Sequence, residues 1–164
     1  MTQRERGRKR LVRITLEEDR SIRRSPEVEH ERAVAVYDLL EDNAFDLIGP
    51  ACGPYCLKIG IRENRLVLDV RDEGERALTE VLLPIGPLRS LIRDYFTVCE
   101  AYYEAIKTES PSRIEAIDMG RRSIHDEGAD VLRRRLAPRI EIDIPTSRRL
   151  FTLICVLHVR DMRE

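Results

Sequence analysis

The sequence predicts an α+β fold: an antiparallel sheet, made of a three-strand meander and two further strands, with about four helices packed mainly on one face. Three observations carry this. Three consecutive segments alternate apolar and polar residues with the period of a strand and are separated by short turns. Two long segments carry apolar stripes at the 3.6-residue helical period. No repeated strand–helix–strand unit is visible, so strands and helices segregate. A hydrophobic content of 42% over 164 residues is enough for one buried core.

The elements follow in chain order. Residues 1–10 have no apolar period and read as a basic flexible arm, leaving 11–164 as a single domain. Val12, Ile14 and Leu16 alternate as a first strand. Ser25-Pro26-Glu27 supplies an N-cap, a proline for the first helical position and an acid for the first turn. The helix they open runs to about Asn43, with apolar residues around much of its surface, which marks it as a central helix. Tyr55 to Ile61, Leu66 to Val70 and Thr79 to Ile85 form the meander, turning at Glu63-Asn64 and at Asp72 to Glu75. From Pro87 to Lys107, Leu88, Leu91, Ile92, Tyr95, Phe96, Cys99, Tyr102, Tyr103 and Ile106 form one helical stripe. Ser112 and Glu115 read as a capping box opening a helix to about Leu136. Ile140, Ile142 and Ile144 make one more strand, and Pro145-Thr146-Ser147 starts a last, almost wholly apolar helix.

No apolar stretch follows the basic head, so no secretory signal is expected. The longest apolar run, Leu150 to Val159, is far short of the roughly 20 residues of a membrane span. Cys52, Cys56, Cys99 and Cys155 are too sparse for a disulfide framework. These features predict a cytoplasmic protein with no membrane association.

The formal net charge of −1 hides a division. The first thirteen residues carry a net +5, and the remainder carries −6. Clustered arginines neutralise phosphates, which raises nucleic-acid binding through the arm. The acidic body, with no basic stripe on any helix, makes such binding weak and salt-sensitive. Arginine outnumbers lysine 26 to 3, a bias that by itself points to no partner.

Familiar catalytic patterns are missing. Cys52-Gly53-Pro54-Tyr55-Cys56 has three residues between its cysteines, where a redox pair needs two and a helix N-terminus. Glu27 and His30 have the spacing of a di-iron ligand pair, but such sites need a second one. No metal or other cofactor is expected, and no Gly-x-Ser-x-Gly elbow occurs. Two clusters remain. On the helix after Ser112, Arg121 falls within the apolar stripe, with Asp118 and His125 on its border at contacting i, i+3 and i, i+4 spacings. A charge in such a stripe is either paired or faces a cleft. Gly120 and Gly128 interrupt the same helix and suggest close approach of a neighbour. On the last helix, Arg148 and Arg149 beside Thr146 and Ser147 have the makeup of an anion seat at a helix start. Arg23 and Arg24 sit similarly before Ser25. In both clusters, pairing with the acids of the body is the structural alternative.

The segments Ile22 to Glu27, Glu29 to Val34, Gly53-Pro54-Tyr55, Ile114 to Arg122 and Arg148 to His158 together resemble uncharacterised protein family 0262 of the alphaproteobacteria. The resemblance spans about Leu11 to Val159 and leaves the basic head outside. It implies a small bacterial cytoplasmic protein, and brings no activity, cofactor or catalytic residue with it. The residues therefore point first to a non-enzymatic binding or regulatory protein that contacts a protein partner, a second copy of itself or a small anionic ligand. The alternative is an enzyme on a phosphorylated or carboxylated metabolite, with His125 as acid–base, Asp118 orienting it and Arg121, Arg148 and Arg149 holding the anion.

Overall fold

In the computed structural model, which describes residues 1–18 and 24–158, a short helix α1 (Gln3–Arg8) stands where the sequence expects an arm. Thr2 and Glu5 close a capping box around its first turn. Beyond it the head is stitched to the body, since the carbonyls of Lys9 and Arg10 accept from the backbone N–H groups of Phe45 and Tyr55.

The main sheet has the order β1-β3-β4-β5, formed by β1 (Leu11–Leu16), β3 (Tyr55–Arg62), β4 (Arg65–Asp72) and β5 (Ala77–Pro84). The last three are the expected antiparallel meander. Glu63 and Asn64 both take positive φ, 52° and 61°, as a two-residue hairpin of matching twist requires. β1 departs from the expected pattern by pairing parallel to β3. Its cause is the helix between them, α2 (Pro26–Glu41), which carries the chain back to the end of the sheet from which it started.

The fifth expected strand does not join this sheet. β6 (Ile140–Ile142) pairs antiparallel with β2 (Phe45–Leu47), a three-residue strand too short to show an alternation. Five helices are present among the described residues: α1, α2, α3 (Gly86–Thr108), α4 (Pro111–Leu136) and α5 (Ile144–Leu157). Ser25 caps α2 as its sequence predicts, accepting from the Val28 N–H. On α4 the cap is Ser110 rather than Ser112, because Pro111 takes the first helical position and fixes the start two residues earlier. Ile144 likewise belongs to α5 and not to the strand, with Asp143 as N-cap.

One face of the sheet, with Leu57, Ile59, Leu68, Val70 and Val81, shares a continuous core with Leu39, Leu88, Ile92, Leu132, Leu150 and Phe151 from the helices. On the other face Lys58, Asp69 and Glu80 align across three strands. α5 is the central helix: every residue from Leu150 to Val156 is buried, and it packs against α2 and α4 and touches α3 and β3. α2, which the sequence suggests to be central, buries only Ala35 and Leu39 and leaves Val34 and Tyr37 exposed. The start of β1 is clamped to the end of α2 by Asn43, whose amide bonds both the N–H and the carbonyl of Leu11 and the carbonyl of Leu39. No helix among the described residues is long and apolar enough to cross a membrane.

Candidate functional site

The start of α5 is closed. Asp143 Oδ1 accepts from the Thr146 N–H at 2.9 Å, so the helix N-terminus already faces a carboxylate. Thr146 and Ser147 are fully buried. The Thr146 hydroxyl accepts from the Ala44 N–H and the Ser147 hydroxyl donates to the Ala129 carbonyl. The expected anion seat on the first turn therefore does not form. With Ile144 and Pro145 opening the helix, Arg148 and Arg149 fall in its second turn.

There they meet other residues. A cleft of about 390 Å³ opens between α2, α4 and α5. Glu31, Val34, Ala35 and Asp38 line it from one stripe of α2, and Pro145, Arg148, Arg149 and Thr152 from one stripe of α5. These are the i, i+3, i+4, i+7 rows that put side chains on a single helix face. α4 contributes His125.

The histidine is held firmly. Its ring stacks on Tyr95 at 5.5 Å between centroids and lies tilted against Phe151 at 5.9 Å. Nε2 lies 2.9 Å from the Arg148 carbonyl and 2.8 Å from the Thr152 hydroxyl. A carbonyl can only accept, so Nε2 carries the proton and Nδ1 is the basic atom of the neutral ring. The Thr152 hydroxyl in turn donates to the same carbonyl. Burial holds the His125 pKa below the ordinary 6.5, outweighing the raising effect of the Arg148 carbonyl and Asp126.

The charges around it are unequally engaged. Arg148 donates from Nε to Asp126 at 2.7 Å. Glu31 accepts from the Tyr103 hydroxyl at 2.9 Å and pairs with Arg121 at 3.6 Å. Arg149 bonds only the carbonyl of Pro145, and the Asp38 side chain enters no hydrogen bond or ion pair among the described residues.

Arg121 and Asp118 are not in the cleft. Arg121 grips Asp118 through Nε and Nη2 at 3.0 and 2.7 Å and lies 4.7 Å over the Tyr102 ring. Arg122 holds the other carboxylate oxygen at 2.7 Å. Burial works against the charged form of Asp118, yet the two guanidinium groups keep its pKa below the usual 3.8. Asp118 thus pairs with arginines and does not orient His125; the Arg148 carbonyl and Thr152 do. Arg121 touches the cleft only through Glu31.

Arg24 lies at the far end of α5. Its side chain is 5% exposed, donates to the Val156 carbonyl, and shares Glu18 with Arg32. It closes the C-terminus of the helix and is unconnected to Arg148 and Arg149 along the cleft. Arg23 lies outside the described residues. Cys52 is exposed and Cys56 buried, both free, and no group of three metal-ligating side chains occurs among the described residues.

Thr152, Glu31 and Asp38 were not singled out by sequence reasoning as site residues, although each carries a signal. Thr152 interrupts an apolar helix, and the two acids share a stripe with Val34 and Ala35.

Comparison with known proteins gives a consistent picture. The model of Uncharacterised protein family (UPF0262) matches residues 8–160. A UPF0262 protein of Paramagnetospirillum magneticum is 55% identical over 153 residues, covering 93% of this chain and 98% of the relative. A UPF0262 protein of Azorhizobium caulinodans is 56% identical over 152 residues, covering 91% and 93%. One from Rhodospirillum rubrum is 53% identical over 150 residues, covering 92% of each. No solved structure matches the chain significantly.

Proposed function

Since the chain belongs to Uncharacterised protein family (UPF0262), whose name carries no activity, we propose from its own geometry that it is a binding protein whose α2–α4–α5 cleft takes a small anion-bearing metabolite. The observation that carries this is Arg149, a cleft-lining guanidinium with no ion-pair partner among the described residues, set beside the held ring of His125. An unpaired arginine in a concave site is a ready partner for carboxylate or phosphate. About 390 Å³ lies at the small end of the range for ligand sites, which suits a metabolite and not a macromolecule. An anion bound there would also favour the protonated form of His125, giving the ring a second charge to offer.

The test is a thermal-shift and calorimetric screen with phosphates and carboxylates. A ligand at a hundred times its Kd stabilises the native state by about 2.7 kcal/mol, which is readily seen as a raised Tm. Arg149→Gln is expected to weaken binding at least tenfold; a hit that the variant binds as tightly as the parent would remove the cleft as its site.

One feature favours a catalytic second reading. The tautomer fixed by the Arg148 carbonyl leaves Nδ1 as a neutral base. Under that reading, His125→Gln loses turnover far out of proportion to any loss of ligand binding, whereas a pure binding protein shows no turnover to lose.

A further inference from the structure

Resting on the cleft as a ligand site, we propose that its occupant is dipolar: a short aliphatic molecule with an ammonium group at one end and an acid group at the other. The two walls are of opposite character. Asp38 on α2 and Arg149 on α5 line the same cavity, yet they form no ion pair with each other or with any other described residue. Opposite charges that share a cleft without meeting leave a gap that a molecule with both charges bridges. The other ionic side chains of the cleft are already engaged, Arg148 with Asp126 and Glu31 with Tyr103 and Arg121. That leaves one carboxylate and one guanidinium as the unused pair.

The surface beside Asp38 suits the middle of such a molecule. Val34, 42% exposed, lies on the same α2 stripe and offers apolar contact. A simple anion would satisfy Arg149 and leave Asp38 repelling it. A simple cation would do the reverse. Only a ligand with both groups gains from both walls, and this is how discrimination is set by an unfavourable contact for the wrong partner as well as a good one for the right.

The experiment is titration calorimetry on the full chain with three series of matched chain length: ω-amino carboxylates from glycine to 6-aminohexanoate, dicarboxylates from malonate upward, and diamines. Ionic strength is held fixed. One ω-amino carboxylate is expected to bind at least tenfold tighter than the dicarboxylate and the diamine of its length. Asp38→Asn is expected to erase that margin while leaving dicarboxylate binding unchanged or tighter. The Asp38 side chain enters no hydrogen bond or ion pair among the described residues, so this variant should keep the parent's melting temperature, which is checked alongside. If dicarboxylates bind as well as the amino acids and Asp38→Asn changes nothing, the dipolar ligand is wrong and the anion cleft stands. If no member of any series binds, or if Arg149→Gln leaves every affinity unchanged, both readings fall.

Discussion

Gly120 and Gly128 look alike in the sequence, each a helix-weakening residue in α4, and both invite the idea of a close neighbour. Only one has it. A Cβ on Gly128 would lie 2.4–2.6 Å from the ring of Phe151, which is fully buried and has nowhere to move. A Cβ on Gly120 would meet only a Val98 methyl at 3.8 Å, an ordinary contact. Gly128→Ala should therefore destabilise by about 1–3 kcal/mol through overpacking, despite the better helix propensity of alanine. Gly120→Ala should stabilise by up to about 1 kcal/mol. Urea denaturation of the pair checks both signs, and a stabilised Gly128 variant would contradict the packing described. His125 gives the second residue-scale prediction. The ring titrates facing Glu31 of α2, Asp126 of α4 and Arg148 of α5, and burial keeps it neutral in the fold. Above pH 6.5 it is neutral in both folded and unfolded chains and contributes no pH dependence. As pH falls through that value the unfolded chain takes up the proton first, so stability drops until the lower folded pKa is passed. Urea midpoints measured from pH 8 to pH 5 should show this loss, and His125→Gln should flatten it. Its neighbourhood was only half legible: i, i+3 and i, i+4 spacing brought Arg121, Asp118 and His125 together, but spacing on one helix cannot say which partners a second and third helix bring.

At the scale of elements, turn and cap chemistry was the most readable part of the sequence, and it misled where two similar signals competed. Ser110-Pro111 and Ser112-Arg113-Ile114-Glu115 both resemble helix starts. Proline decides between them, because its missing N–H and fixed φ suit the first helical position. Ser110→Ala should cost about 1 kcal/mol as a lost cap, while Ser112→Ala, inside the helix, should be neutral or slightly stabilising. A loss from Ser112→Ala with none from Ser110→Ala, read as shifts in thermal midpoint, would place the cap at Ser112 after all. The meander was legible because hairpin strands are neighbours in the chain and alternate cleanly. β2 was not, since Phe45-Asp46-Leu47 becomes a strand only by meeting Ile140 to Ile142, a pairing remote in sequence. The direction of β1 was also hidden: alternation identifies a strand but is blind to whether its partner runs with it or against it. In α1 the capping pair Thr2 and Glu5 was on view, but no apolar stripe accompanied it to mark a helix.

For the whole molecule, the division of charge acquires a location. Arg6, Lys9 and Arg10 of the basic head border a cavity of about 730 Å³ that is also lined by Asp42, Asp46 and Glu141 of the acidic body. Head and body thus lie against each other with opposite sign. The apolar character of α5 is accounted for inside the chain, where its residues from Leu150 to Val156 are buried. An apolar surface left for a second copy lies on the outer face of the sheet, where Leu82 is 45% exposed across from Val67. Sedimentation at rising concentration addresses it directly: a second copy seated there gives a mass climbing above 19.1 kDa, and Leu82→Lys should return the chain to that value. A constant monomer mass into the high micromolar range would exclude the sheet face as a self-association surface.

The central position of α5 also bears on how the chain is made. Synthesis proceeds from the N-terminus, and the helix around which α2 and α4 pack is the last described element to leave the ribosome. Until it emerges, the meander can pair its strands, but Ala35, Leu39 and Leu132 have no complete core to enter. The nascent chain therefore waits, partly assembled and with apolar helix faces uncovered, in the state that chaperones recognise. A fold whose keystone comes last among its described elements closes its core only after every other one has been made.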